Sequence, residues 1–184
     1  MRLVLASTSP YRRELLARLG VAFEVALPGV DETALPGESP AQTALRLSVL
    51  KAKAVPGDVV IGSDQVAALE GQILGKPGNH ATAVKQLRAA SGKTVEFHTA
   101  VSVRSHAMDS RIVPCRVTFR PLSDEAIEAY LQKEKPYDCA GSAKAEGLGI
   151  ALIARMETDD PTSLIGLPLI ALTEMLQKAG IRIP

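Results

Sequence analysis

Asp64 and Lys76 lie near the two ends of the stretch IGSDQVAALEGQILGKP, residues 61–77. Val59-Val60-Ile61 reads as a short buried strand after the turn Pro56-Gly57-Asp58. The pattern breaks at Gly62-Ser63-Asp64-Gln65, where a glycine lets backbone approach a ligand closely. A second strand is predicted at Val66–Leu69, with a turn at Glu70-Gly71 and a return strand ending in Gly75-Lys76-Pro77. Such a hairpin brings Asp64 and Lys76 to one end of a sheet. A carboxylate and an ammonium in one crevice can hold a metal, activate water and grip a phosphate. The competing reading is a surface salt bridge across a hairpin, which stabilises little. Gly71-x-x-x-Gly75-Lys76-Pro77 is no Walker loop: it is one spacer short and has proline where the motif needs Ser or Thr.

A second candidate anion site is the N-terminus. Leu3–Ala6 reads as a strand, Ser9 as a helix N-cap and Pro10 as the first helical residue, with Leu15, Leu16 and Leu19 at helical spacing until Gly20. Strand-into-helix junctions present unpaired amides and partial positive charge, a seat for phosphate. Ser7 and Thr8 add hydroxyls, and Arg12 and Arg13 add guanidinium forks. Two cations in a first turn oppose the helix dipole, so a nearby anion helps to explain them.

The remaining elements must position these groups. Val21–Leu27 alternates as a strand and residues 28–33 form an acidic loop. Ser39-Pro40 opens a helix whose apolar face is predicted at Ala44, Leu45, Leu47, Val49 and Leu50, with Lys51 and Lys53 favouring its C-terminal dipole. Asn79 caps a helix reaching Ala90. Val95–Val103 and Ile112–Leu122 are strands separated by a polar loop at 104–111, with Pro114 demoting the second toward an edge or bulge. Ser123 opens another helix; Ile150–Met156 is a final strand, Ser163–Gly166 an apolar loop and Pro168–Ala179 a final helix. Glycines 141, 147 and 149 imply unusual backbone angles or close ligand approach, although no dinucleotide fingerprint is present. Alternating elements early and consecutive strands in the middle argue for a mixed α/β sheet, elongated and bilobal rather than doubly wound, in one domain over 1–184.

Composition narrows the partners. With 22% charged residues, a net charge of +1 and no long basic run, nucleic-acid polymers are not expected. Aromatics are 3%, so the core is aliphatic. Cys115 and Cys139 suit free buried thiols, His80, His98 and His106 lack metal-ligand spacing, and the N-terminal apolar run is too short for a membrane span or signal core. The expectation is a cytoplasmic protein with no membrane partner.

Seven ordered pieces, LASTSPYRRELL at 5–16, VDET at 30–33, LRLSVLKAKA at 45–54, GSDQV at 62–66, GKP at 75–77, AGSAKAEGLG at 140–149 and GLPL at 166–169, resemble the Maf family of nucleoside triphosphate pyrophosphatases over nearly the whole chain. The resemblance implies helices flanking a mixed sheet with a central cleft, and hydrolysis of a nucleoside triphosphate to monophosphate and pyrophosphate with Mg²⁺ or Mn²⁺. It further implies that Ser7 and Arg12 bind phosphates, Lys51 and Lys76 neutralise them, Glu32 assists the metal or water, and Asp64 is general base and metal ligand. Tyr11, Gln65 and Glu146 resemble the branch acting on 7-methyl-GTP. Guanine offers two adjacent donors that Glu146 can accept, Tyr11 can stack on the cationic ring, and Gln65 can donate to O6 or orient its neighbours. The same reaction on dTTP, UTP or another nucleotide, and a binder without turnover, are the alternatives; a homodimer is compatible with all three.

Overall fold

The computed structural model describes residues 1–183. Seven strands form one mixed sheet in the order β2-β1-β3-β5-β6-β7, with β4 paired to part of β3. The strands are β1 (Leu3–Ala6), β2 (Glu24–Ala26), β3 (Val59–Leu69), β4 (Gln72–Leu74), β5 (Thr94–Arg104), β6 (Met108–Phe119) and β7 (Ile153–Thr158). The helices are α1 (Pro10–Ala17), α2 (Pro40–Ala54), α3 (His80–Ala90), α4 (Asp124–Glu134), α5 (Thr162–Ile165) and α6 (Leu169–Lys178). The mixed sheet with flanking helices is the architecture expected from the sequence.

The helix starts follow from local chemistry. Ser9, Ser39, Asn79 and Ser123 each accept a backbone N–H of the first turn, and Ser39 with Gln42 makes a reciprocal capping box. Their ends differ more from expectation. Helix α1 stops at Ala17, and the loop expected at 163–166 contains the one-turn helix α5.

Strands β3 and β5 are the spine, eleven residues each and paired from Val60↔Arg104 to Leu69↔Val95. The break expected at 62–65 is therefore not a break in β3. It is a break in the neighbour: β1 pairs with Val59–Ile61 and β4 with Ala67–Leu69, so residues 62–66 have a strand partner on the β5 side alone. A fork opens in the sheet there. The hairpin of β5 and β6 also runs further than expected, closing the 104–111 loop to residues 105–107. Pro114 sits in β6 one residue before pairing with β7 begins at Cys115, where its outer side needs no N–H. The last strand is shifted, starting at Ile153 rather than Ile150.

The spine joins two apolar clusters. Leu3, Leu5, Leu15, Leu16, Ile61, Val101, Leu167, Leu172 and Met175 pack at one end, under α1 and α6. Ala67, Leu69, Leu87, Phe97, Phe119, Ile127 and Leu131 pack at the other, under α3 and α4. Between them, on the same face, stand the polar residues Ser63, Gln65 and Thr99, which neither cluster absorbs. The opposite face meets α2. Its buried face is Thr43, Ala44, Leu47, Ser48, Lys51 and Ala52; Leu45 and Val49 are half-buried and Leu50 is exposed, against the pattern expected. Gly62 makes this packing close: a Cβ there would stand 2.1 Å from the Ser48 carbonyl oxygen and 2.5 Å from the Ala52 nitrogen. Glycine lets α2 press onto β3 and carries Lys51 over Asp64. Among the described residues no helix is long and apolar enough to cross a membrane.

Candidate active site

The fork in the sheet is the floor of a cleft of about 670 Å³, a volume that accommodates a nucleotide-sized ligand. Ser7, Tyr11, Arg12, Glu32, Lys51, Asp64, Gln65, Lys76 and Glu146 all line it, so every residue to which the family resemblance gave a role converges there. Arg13 does not line it and is exposed. Strand alternation sends Asp64 toward α2 and Gln65 to the other face, yet both reach the cleft because their shared edge is open.

Lys51 is the centre of the charges. It is 4% exposed, and its Nζ lies 2.7 Å from Asp64 Oδ1 and 2.7 Å from Glu32 Oε1. Two of three ammonium protons are thus committed, leaving one for a further acceptor. The sequence offered Lys51 as a cation favouring a helix dipole; the structure buries it between two acids. Burial pushes the Glu32 carboxyl up in pKa, but the Lys51 hydrogen bond and the charges of Lys51, Lys76 and Arg12 outweigh it and hold the group below its ordinary value. For Arg12, desolvation lowers the pKa while Asp64 and Glu32 oppose the loss. Glu32 and Arg12 thus both feel the surrounding charges of the cleft, which gathers three cations and two carboxylates.

Arg12 is held by its own fold. Its Nε donates to the Gly166 carbonyl at 2.8 Å, an oxygen that also accepts from Ser63 Oγ at 3.0 Å. Ser7 is buried at the end of β1, and its oxygen accepts from the Ser9 N–H at 3.1 Å, leaving its own proton free to donate. Lys76 is exposed in the irregular segment following β4, where Gln86 of α3 donates to the Gly75 carbonyl at 2.9 Å. Ser142 Oγ donates in turn to Gln86 Oε1, so one glutamine ties the Lys76 segment to the 140s loop.

Glu32 rides on an irregular loop, and the residues that hold this loop were missed in the sequence. Arg46 Nη2 donates to the Thr33 carbonyl at 3.0 Å and to Glu38 Oε2 at 2.8 Å, while Glu38 also accepts from Leu35 N and Thr43 Oγ1. The Arg46 hydrogen bond takes the Glu38 pKa down to about 2 from an ordinary 4.5. A depressed carboxyl stabilises the fold above its unfolded pKa and loses that contribution as pH falls through the folded value. The difference in Tm between the wild type and Glu38→Gln is accordingly expected to be full at pH 6 and to shrink steadily between about pH 4.5 and 2. A difference independent of pH would sink this reading.

The expected base-reading positions meet corrections. Gln65 Nε2 already donates toward Thr99 Oγ1, Ser163 O and Leu164 O at 2.9, 2.9 and 3.0 Å. It has no N–H left for the O6 of a base, contrary to the expectation; its free atom is Oε1, an acceptor. Tyr11 donates to Asp138 Oδ2 at 3.1 Å, and its ring already carries Lys144 Nζ at 5.6 Å from the centroid. A base can stack only on the remaining face. Glu146 is exposed to the cleft, and partial burial raises its pKa. Of the three loop glycines, only Gly141 has positive φ; Gly147 and Gly149 are packed against Glu134 and the Lys144 backbone, which accounts for them without a ligand. Cys115 and Cys139 are free thiols, as expected, but only Cys115 is buried; Cys139 is half-buried because it lines the cleft, where desolvation pushes its pKa up to about 12.

Asp64 and Glu32 come together at one point, as their common contact with Lys51 shows. Among the described residues no cluster of three or more His, Cys, Asp or Glu is placed to hold a metal. Two carboxylates do fit a hard divalent cation that keeps waters and takes its remaining ligands from substrate phosphates.

Residues 2–179 match the family model described as Maf-like protein. The chain belongs to the Maf-like family. This Maf-like chain is 58% identical to the 7-methyl-GTP pyrophosphatase of Albidiferax ferrireducens over 99% of its own length and 95% of the relative's. It is 60% identical to the protein of the same name from Thiobacillus denitrificans, over 97% and 92% of the two chains. Among solved structures, a nucleoside-triphosphatase / dITP/XTP pyrophosphatase from Mycobacterium abscessus aligns over 97% of this chain and 94% of its own at 15% identity and a TM-score of 0.48. That last likeness is too distant to inform the site.

Proposed function

We propose that this Maf-like protein, acting as a single domain over 1–184, hydrolyses nucleoside triphosphates to the monophosphate and pyrophosphate, with 7-methyl-GTP its preferred substrate. The observation that carries the reading is the buried Lys51 bridging Asp64 and Glu32 at 2.7 Å inside a cleft shared with Arg12 and Lys76. A triphosphate brings up to four negative charges, and cations in a cleft shielded from water oppose them far more strongly than in bulk. In this account Arg12, Lys76 and the Ser7 hydroxyl grip the phosphates. Lys51 holds the two acids in register and turns its third proton to a phosphate oxygen. Asp64 takes the proton of the water that attacks at the α–β bridge; one P–O bond forms, the bridging P–O bond breaks, and pyrophosphate leaves. Asp64 and Glu32 would hold Mg²⁺ or Mn²⁺, which supplies Lewis-acid neutralisation of the phosphates.

A binder without turnover has no need of a carboxylate placed to accept a proton, which favours catalysis. Base choice follows from the acceptors at the far end: Glu146 and Gln65 Oε1 suit the N1–H and 2-amino donors of guanine, whereas uracil or thymine would set a carbonyl against one of them. The test is pyrophosphate release from a nucleotide panel with Mg²⁺ or Mn²⁺. Glu146→Gln is expected to lower kcat/KM for 7-methyl-GTP by roughly ten- to a hundredfold through an unsatisfied hydrogen bond, and to leave UTP nearly unchanged. Equal losses on both substrates would remove Glu146 from base reading.

A further inference from the structure

Gln65 is the cleft residue whose orientation the protein fixes most completely. Its amide nitrogen faces three acceptors: the Thr99 hydroxyl and the carbonyls of Ser163 and Leu164. Only an NH₂ satisfies such a set, and a flipped amide would aim oxygen at oxygen. Thr99 stands directly opposite Gln65 in the β3–β5 ladder and is fully buried. Its own proton goes to the Ser163 carbonyl at 2.8 Å, so it offers Gln65 a lone pair and nothing else. No buried side-chain polar atom lacks a partner among the described residues. Gln65 Oε1, which takes no protein donor, is therefore the end left open to the cleft.

We propose that Thr99 is a positioning residue for base selection. By sending its proton to α5 and accepting from Gln65, it locks the amide so that this point of the cleft accepts a hydrogen bond and never donates one. The inference rests on the reading of the cleft as a nucleotide site given above. With the Glu146 carboxylate, it makes the base end of the cleft a pair of acceptors. Such a pair recognises a ring with two adjacent donors and discriminates against the same ring lacking its 2-amino group. The pairing also links selection to the phosphate end, because the Ser163–Gly166 turn that receives Thr99 and Gln65 presents the Gly166 carbonyl to Arg12.

The test is calorimetric binding of 7-methyl-GMP and of 7-methyl-IMP, which lacks the 2-amino group, to the wild type, Thr99→Val and Thr99→Ser. Binding needs no turnover, so it is read independently of catalysis. The wild type is expected to favour the guanine nucleotide by about tenfold or more. Thr99→Val, nearly isosteric and suited to a strand, is expected to reduce that ratio about three- to tenfold, the worth of one hydrogen bond holding the amide. Thr99→Ser is expected to restore it. A role in packing alone would weaken both ligands together and leave the ratio unchanged; a ratio preserved in Thr99→Val would overturn the proposal. If the wild type itself showed no preference, base reading by this cleft would fail along with it. Wild-type preference with a reduced Thr99→Val ratio, in a protein without turnover, would uphold the role of Thr99 while removing catalysis, so the two failures are distinguishable.

Discussion

Asp64→Asn is expected to lower kcat by about a hundred- to ten-thousandfold, the range that a positioned general base contributes. The change is isosteric, and the asparagine oxygen can still accept from Lys51, so the fold is expected to survive with only a small shift in Tm. Glu32 remains on the other side of the ammonium to balance its charge. Substrate affinity should change much less than kcat, because Arg12, Lys76 and Ser7 are untouched. Steady-state kinetics with 7-methyl-GTP, alongside circular dichroism of the variant, give the answer. Turnover within tenfold of the wild type would withdraw Asp64 from proton transfer.

Lys51→Met is expected to strike stability as well as activity. The lysine side chain is 4% exposed and that of Asp64 10%, so the variant leaves a carboxylate in the floor of the cleft without a counter-charge. Removing one partner of a buried pair costs about 3–5 kcal/mol, and the Glu32 contact adds little because that side chain is 60% exposed. In a chain of this length each kcal/mol lowers Tm by about 2–4 °C, giving a fall of roughly 6–20 °C. Combining Lys51→Met with Asp64→Asn removes the orphaned charge and should recover much of the loss, a coupling that a double-mutant cycle measures directly. A Tm unmoved by Lys51→Met would mean that the ammonium is not the fastener of the two acids.

How much of this was legible beforehand follows from how far each signal reaches along the chain. Helix starts were legible because Ser9, Ser39, Asn79 and Ser123 bond to residues three positions on. The site residues were legible as a set through the family resemblance, and the geometry gathers them. Their contacts were not. Lys51 meets Asp64 only because a glycine at position 62 lets a helix lie against the spine, a fact of packing rather than of spacing. The apparent break at 62–65 was a true signal assigned to the wrong strand: polar residues mark the fork where β1 has ended and β4 has not begun. Gln65 was given a donor's role because nothing local shows that backbone carbonyls some hundred residues later consume its N–H groups. Glu38 and Arg46 escaped notice since a surface-like Glu and Arg eight residues apart read as ordinary helix-flanking charge.

The central claim is that one cleft, with Lys51 between two carboxylates, cleaves a nucleotide between its α- and β-phosphates. Phosphorus NMR of 7-methyl-GTP incubated with the protein and Mg²⁺ tests it most directly. The expected spectrum shows the nucleoside monophosphate and pyrophosphate growing in equal amounts, and both growing at least about a hundredfold more slowly with Asp64→Asn. Release of orthophosphate with a nucleoside diphosphate, or no change in the substrate signals across the nucleotide panel, would contradict it.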